Sequence, residues 1–365
     1  MKKFLDNIRL DWYIFVPALL ISMAGLVTMN SFTGDNYFFF RQSIWILIAV
    51  LVFLGASAID WRFLRRTSVL VPLFLFISFL LMSLFLIGIV SHGAQSWFRL
   101  GLFSFQPSDL AKLVLILILA KYFSRRHIEI KNPRHILISG IYAFILFMLV
   151  FLQPDFGGSM VIFAIWFGMV LISGISKKHL VIVGTLGLVT ALTLWSFVLA
   201  PYQKARIMTF VNPTADIHGS GYNAYQSTIA VGSGQWFGKG VGQGSQSKLQ
   251  YLPEYETDFI FAAFAEEWGF VGTALLFGLV FFLLLHLVGN ASTSATNFET
   301  FFTLGVVILF FVHIVVHAGM NMGVMPVTGI VFPLMSYGGS HLIMEWLALG
   351  MISSMRRDSQ GPRLA

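Results

Sequence analysis

Residues 68–90, SVLVPLFLFISFLLMSLFLIGIV, are 23 consecutive residues without a charged side chain. Coiled as a helix at about 1.5 Å per residue, they reach roughly 35 Å, enough to cross a hydrocarbon core about 30 Å thick. Apolar runs of similar length recur on both sides of this one. Ten are read as spans: 13–30, 42–59, 68–90, 108–123, 135–152, 157–174, 179–199, 258–288, 300–320 and 326–354, the last interrupted by Pro333 and the pair Gly338-Gly339. Composition agrees, because 57% of the 365 residues are hydrophobic and only 11% are charged, where a soluble domain carries about 25%. A soluble, disordered or fibrous protein is excluded. The expectation is an all-α polytopic membrane protein with about ten transmembrane helices, forming a single membrane domain over 1–365.

The chain has no cysteine, which removes disulfides, thiol catalysis and thiolate metal sites. Its net charge of +7 comes from Lys and Arg placed between lipid-length runs. There they anchor helices to anionic membrane lipids, and no nucleic-acid partner is expected. The first span follows Lys2, Lys3 and Arg9 and is read as a retained anchor, being too long for a signal-peptide core. With a cytoplasmic N-terminus, the inner connections hold 16 Lys and Arg and the outer ones six, while Lys112 lies inside a span. That bias predicts a multi-pass protein of the cytoplasmic (inner) membrane with both termini cytoplasmic, and an even number of spans agrees with it.

One connection is out of proportion. Residues 200–257, between spans seven and eight, form a large outer loop carrying Tyr202, Phe210, Tyr222, Tyr225, Trp236, Phe237 and Tyr251, too aromatic for disorder. An ordered extracytoplasmic cap is expected, with a short amphipathic helix over 222–231. The glycine-rich stretch 232–244 should form an irregular backbone lying close to a ligand or to helix ends. Residues 91–107, with Trp97, Arg99 and Gln106-Pro107, make a second, shorter outer element.

Ionisable groups at membrane depth are costly and mark function or pairing between helices. Asp109 and Lys112, at i and i+3, share a helix face and can pair with each other, with a third group, or with an anionic headgroup. Asp258 opens the eighth span after the run LPEYET at 252–257. On the residues alone a helix cap is the favoured reading, with a general base or cation ligand at the mouth of a cavity as the functional one. Glu266 and Glu267 lie about 12–13.5 Å deeper, so at least one should face the bundle interior. His313 and His317 have metal-compatible i, i+4 spacing, but Ile-Val-Val between them lacks the glutamate of a zinc protease helix, which counts against a metal there. The glycines of 238–244 match neither a Rossmann fingerprint nor a Walker A loop, which argues against an ATPase.

Taken in chain order, the polar segments carry a specific pattern. They are QSWFRLG at 95–101, FQPSDLAK at 105–112, QPD at 153–155, the stretch 206–213, 237–244 running into Gln246-Ser247 and Leu252-Pro253-Glu254, TDFIF at 257–261, PVTG at 326–329 and SYGGS at 336–340. Together they resemble the SEDS family (shape, elongation, division and sporulation proteins), and its RodA branch more than its FtsW branch, over nearly the whole membrane domain. Two positions depart from that pattern: Asp109 stands where the family usually has Glu, which keeps the charge and shortens its reach, and His341 follows Ser340 where a second Ser is common.

The resemblance implies a peptidoglycan glycosyltransferase that polymerises lipid II at the outer face of the cytoplasmic membrane during cell elongation, working with a class B penicillin-binding protein. It maps the family's functionally important aspartate onto Asp258, which reverses the preference for a simple cap and makes Asp258 the expected catalytic residue. Joining sugars requires deprotonation of an acceptor hydroxyl and stabilisation of a departing lipid pyrophosphate. Arg206, Lys112 and Arg99 are the expected cationic contacts, and Asp109, Trp97, Glu254 and Glu266 the other substrate-binding positions. No cofactor is expected, with a divalent cation left open. Two other classes compete: a flippase for the same lipid-linked precursor, favoured by ten spans, interior carboxylates and a broken last helix, and a non-catalytic scaffold for a penicillin-binding protein. The motif-rich outer loop favours chemistry outside, since a flippase needs comparable polar provision on both faces.

Overall fold

The computed structural model describes residues 10–30, 36–91, 94–100, 103–126, 133–199, 201–212, 221–249 and 251–360. Helices dominate. They run in the order α1 (Trp12–Asn30), α2 (Tyr37–Ala58), α3 (Thr67–Ile87), α4 (Pro107–Arg126), α5 (Pro133–Phe151), α6 (Phe156–Ile172), α7 (Lys177–Thr193), α8 (Pro201–Val211), α9 (Tyr222–Ser233), α10 (Ser245–Lys248), α11 (Ile260–Ser292), α12 (Asn297–Asn321) and α13 (Gly339–Gln360). Prolines open α4 and α5, where the missing N–H is no loss. The α12 start is fixed by Glu299, whose Oε2 accepts from the Thr296 N–H at 3.2 Å. By length and composition, α1, α2, α3, α5, α11 and α12 are long and apolar enough to cross a membrane. Between α3 and α4 lies a small antiparallel sheet, β1 (Ile89–Ser91), β2 (Ala94–Leu100) and β3 (Phe103–Phe105), in that spatial order. It is the short second element expected over 91–107.

The core is built around α4. Every residue of α4 from 111 to 120 is buried, which is why this span lacks the one-sided pattern of a lipid-facing helix. It packs on α12, α3 and α6, while α13 lies along α2 and α11 along α12 and α1.

Buried charge pairs tie one end of the bundle. The Asp11 carboxylate meets His286 Nε2 at 3.0 Å, Asn290 Nδ2 at 3.1 Å and the Arg356 guanidinium. Burial there opposes ionisation, but the hydrogen bonds from His286, Arg356 and Asn290 outweigh it and hold the Asp11 carboxyl below its usual range. Arg65 pairs with Glu299, and Lys121 donates to the Arg65 carbonyl. These groups come from the start of α1 and α12, the ends of α4, α11 and α13, and the link after α2, so those termini share one end of the bundle.

Two expectations about helices are corrected. The tenth span is helical only over Gly339–Gln360, and 326–338 is an irregular segment. Pro326 and Pro333 lack an N–H, and Gly329 (φ +71°), Leu334 (φ +63°) and Gly338 (φ +156°) have positive φ, which a helix cannot contain. Its backbone is satisfied by side chains instead: Phe332 N donates to Ser336 Oγ at 2.8 Å and Leu334 N to Glu345 Oε2 at 2.7 Å.

The eighth span is likewise not one continuous helix, because α11 kinks at Gly269 (φ +64°, ψ −164°). There the backbone exchanges hydrogen bonds with the glycine-rich loop. Lys239 N and Gly240 N donate to the Glu266 and Glu267 carbonyls at 2.9 and 3.0 Å, and Phe270 N and Val271 N donate to the Gln235 and Trp236 carbonyls at 2.8 and 3.0 Å. Glycine is required at this seam, since a Cβ at Gly238 would stand 2.0 Å from the Glu267 carbonyl oxygen and one at Gly269 2.2 Å from Gly238 N. The irregular loop therefore lies against the kink inside α11, not against the helix ends that were expected.

Candidate active site

At the end opposite Asp11, the turn 254–259 is held from several directions. The Glu254 carbonyl accepts from Thr257 N at 3.2 Å and Phe259 N at 3.1 Å, with Glu254 itself at φ +50°. Ser336 Oγ donates to the Thr257 carbonyl at 2.8 Å, and Tyr337 N donates to the Glu256 carbonyl at 2.8 Å. From the end of α12, buried Asn321 closes the turn: its Nδ2 donates to the Asp258 carbonyl at 3.0 Å and its Oδ1 accepts from Ala262 N at 3.1 Å. The backbone of Asp258 is thus fixed between three segments distant in sequence.

Asp258 is not the N-cap residue of its helix. The first residue of α11 is Ile260 and its N-cap is Phe259, whose own side chain makes no capping bond. Asp258 stands in the preceding turn, half-buried, beside the irregular segment: a Cβ added at Gly329 would lie 3.5 Å from Asp258 Oδ2. The TDFIF and PVTG motifs, 69 residues apart at their first members, meet here. In the same segment, Pro326 and Val327 line an open cleft of about 170 Å³ with Arg206, Thr209, Tyr225 and Met322. Arg206 from α8, exposed, is therefore brought to the loop that flanks Asp258. Glu254 lies in the Asp258 turn, and its Oε2 accepts from Thr257 Oγ1 at 3.3 Å.

Asp109 and Lys112 form a buried pair at 3.0 Å in α4. The third group is His341, whose Nδ1 lies 3.3 Å from Asp109 Oδ1 and whose Nε2 lies 2.7 Å from Glu345 Oε1. Gln106 Nε2 reaches Asp155 Oδ2 at 3.4 Å, and Asp155 caps α6 by accepting from Gly158 N at 2.7 Å. Trp97 and Arg99 sit in β2, opposite Ile89 and Ser104 respectively. His317 is not paired with His313 around a common point: its Nδ1 lies 2.7 Å from the Ile330 carbonyl oxygen.

Glu266, expected among the substrate contacts, has different surroundings. It is fully buried, and its carboxylate accepts from Lys239 Nζ at 2.7 Å, Ser245 N at 2.9 Å, Ser245 Oγ at 3.0 Å and Gln246 N at 3.1 Å. These contacts make it the anchor of the glycine-rich loop on α11. Glu267 acts beside it, accepting from Gly242 N at 2.9 Å.

Reading the sequence missed Asn321 and Glu345. Glu345 carried a usable signal, a lone acid in the apolar run HLIMEWLALG. Asn321 carried none, since its work depends on which turn packs beside the end of α12.

The class these features define is a polytopic helical membrane protein with a half-buried aspartate at one end of the bundle and a cleft lined by Arg206 beside it. The chain belongs to the FtsW/RodA/SpoVE family of cell cycle proteins, the SEDS proteins, which it matches over residues 6–361. Among its relatives are the probable peptidoglycan glycosyltransferase FtsW of Haemophilus influenzae, 35% identical over 96% of this chain and 91% of that protein. The peptidoglycan glycosyltransferase MrdB of Escherichia coli K12 is 32% identical over 97% of this chain and 95% of that protein. Among solved structures, a chain from work described as "structural coordination of polymerization and crosslinking by a peptidoglycan synthase complex" superposes with a TM-score of 0.83 at 30% identity, covering 97% of this chain and 99% of the other. The rod shape determining protein RodA of Thermus thermophilus superposes with a TM-score of 0.73 at 29% identity, with the same coverage.

Proposed function

We propose that this chain is a peptidoglycan glycosyltransferase that polymerises lipid II at the outer face of the cytoplasmic membrane, in the setting of cell elongation. The observation that carries the reading is the backbone clamp on Asp258, which holds a carboxylate beside Gly329 and next to the cleft lined by Arg206. The family's activity then follows from the residues. Asp258 takes the proton of the acceptor sugar hydroxyl as its oxygen forms the new glycosidic bond. The bond from the donor sugar to its lipid pyrophosphate breaks, and Arg206 stabilises the charge that develops on the departing group. Lys112 and Asp109 lie deeper as a neutralised pair. The positive-inside rule puts the Asp11 end, with Arg65, Lys121 and Arg356, in the cytoplasm and Asp258 outside, where the product is needed.

The assay is polymerisation of lipid II in detergent by the purified chain with its partner, scoring glycan product. If Arg206 contacts the pyrophosphate, Arg206→Ala removes a charge-assisted hydrogen bond of about 1.5–3 kcal/mol. A fall in kcat/KM of roughly 10- to 100-fold is expected, and full activity would remove it from the site.

The proposed partner is a class B penicillin-binding protein whose single helix packs near α11 and α12. Gly278 is the clean test position, because a Cβ there meets nothing within 4 Å inside the chain, whereas one at Gly272 would strike Trp268 Cβ at 2.4 Å. Gly278→Trp should reduce co-purification of the partner. Unimpaired complex and synthesis would move the contact elsewhere without touching the polymerase assignment.

A further inference from the structure

Beneath the Asp258 turn lies a polar cluster that the proposed chemistry leaves unused. His313 on α12 is 1% exposed, and neither of its ring nitrogens completes a hydrogen bond of good geometry. Its ring stacks on that of His341 with centroids 5.0 Å apart. Ligand-type atoms of His313, His341 and Glu345 all lie within 4.8 Å of one another. His341 Nε2 and Glu345 Oε1 approach to 2.7 Å, yet Nε2 does not meet hydrogen-bond geometry. Three donor-type side chains from two helices that converge within 4.8 Å form the arrangement expected of ligands to one ion.

The surroundings have the second layer that metal-binding histidines need. His341 turns its other nitrogen, Nδ1, to Asp109 Oδ1 at 3.3 Å. Glu345 uses its second oxygen, Oε2, to accept from Leu334 N at 2.7 Å. The backbone of Val331 lies beside the His313 ring. Asp109 beside His341 pairs with Lys112 at 3.0 Å, so the carboxylate of Glu345 is the anionic ligand the site offers a dication.

We propose that His313, His341 and Glu345 bind a divalent transition metal of the zinc class. Two imidazoles and one carboxylate suit Zn²⁺ and Co²⁺ rather than Mg²⁺ or Ca²⁺, which take oxygen ligands. At metal–ligand distances of about 2.0–2.2 Å, tetrahedral ligands stand roughly 3.4 Å apart, so on loading the atoms now spread within 4.8 Å draw together toward His313 while His341 Nε2 and Glu345 Oε1, at 2.7 Å, move apart by about 0.7 Å. The ion ties α12 to α13 and, through Asp109, to α4. His313 lies eight residues before Asn321, about 12 Å along the helix from the clamp on Asp258. The metal is therefore a brace under the site and not a reacting centre.

The test uses full-length, tag-free protein in detergent, stripped with chelator and equilibrated with Co²⁺ or Zn²⁺. The wild type should retain about one equivalent by mass spectrometry of the metal, show the visible bands of tetrahedral Co²⁺, and melt at a higher temperature when loaded. His341→Ser and Glu345→Gln should each weaken retention at least 10-fold, while His179→Asn, at a histidine remote from the cluster in sequence and held by Ser176, should leave it unchanged. X-ray absorption of zinc-loaded wild type should find two imidazole ligands, a reading that needs no variant to fold. No stoichiometric metal in the wild type, or equal retention in all three variants, overturns the proposal and leaves His341 as a bridge between two carboxylates.

Discussion

Asp258→Asn should abolish glycan synthesis from lipid II while leaving the protein folded, inserted and bound to its partner, and Asp258→Ala should do the same. A positioned general base contributes about 10²- to 10⁴-fold, so the residual rate should fall by at least that range. Stability should barely move, because the turn is held by backbone groups: the Asp258 carbonyl is the atom that Asn321 binds, and the neighbouring Thr257 carbonyl is bound by Ser336. The asparagine variant is the sharper of the two, since it preserves shape and removes only the ability to take a proton. Product made at the wild-type rate by Asp258→Asn would remove the base role. An Asn321→Leu variant separates position from chemistry, because it frees the Asp258 backbone with the carboxylate intact.

Glu266→Ala should act through the loop instead. It leaves the half-buried Ser245 N and Gln246 N without their acceptor, together with Lys239, whose side chain is 32% exposed. Each unsatisfied buried N–H costs about 1–3 kcal/mol, and water reaching the lysine softens its share. A destabilisation of about 3 kcal/mol is expected, read as a lower melting temperature and as new protease cleavage within 234–248. Glu266→Gln keeps one acceptor oxygen and should recover part of the loss. Lost synthesis with unchanged melting and unchanged cleavage would return Glu266 to the list of substrate contacts. The two substitutions thus fail in different ways, Asp258→Asn in rate alone and Glu266→Ala in loop order first.

Much of the fold was legible from length and hydrophobicity. A run such as 68–90 has one low-cost solution in lipid, a helix that satisfies its own backbone, and α3 occupies Thr67–Ile87. Proline and glycine signals placed the break in the last span but not its extent, because the Leu334 N–H and the Phe332 N–H find their acceptors on Glu345 and Ser336, and nothing local shows that such acceptors will be present. The kink at Gly269 was invisible for the same reason: a glycine inside an apolar helix reads as a small packing residue until the loop at 234–242 is seen to bond across it.

The site divides along the same line. Which residues are candidates was legible in the sequence, since Asp109, Lys112, Asp258 and Glu266 are charges within or at the ends of apolar spans, and charges at membrane depth need a reason. Which of them act together was settled only by tertiary structure. Asp258 and Gly329 lie 71 residues apart and Asp109 and His341 lie 232 apart, and hydrogen bonds and ion pairs operate over about 3 Å. A sequence records the charge of each group and the period of each helix. It does not record which helix faces turn toward one another, and that alone makes Glu266 an anchor, Asn321 a clamp and His341 the partner of Asp109.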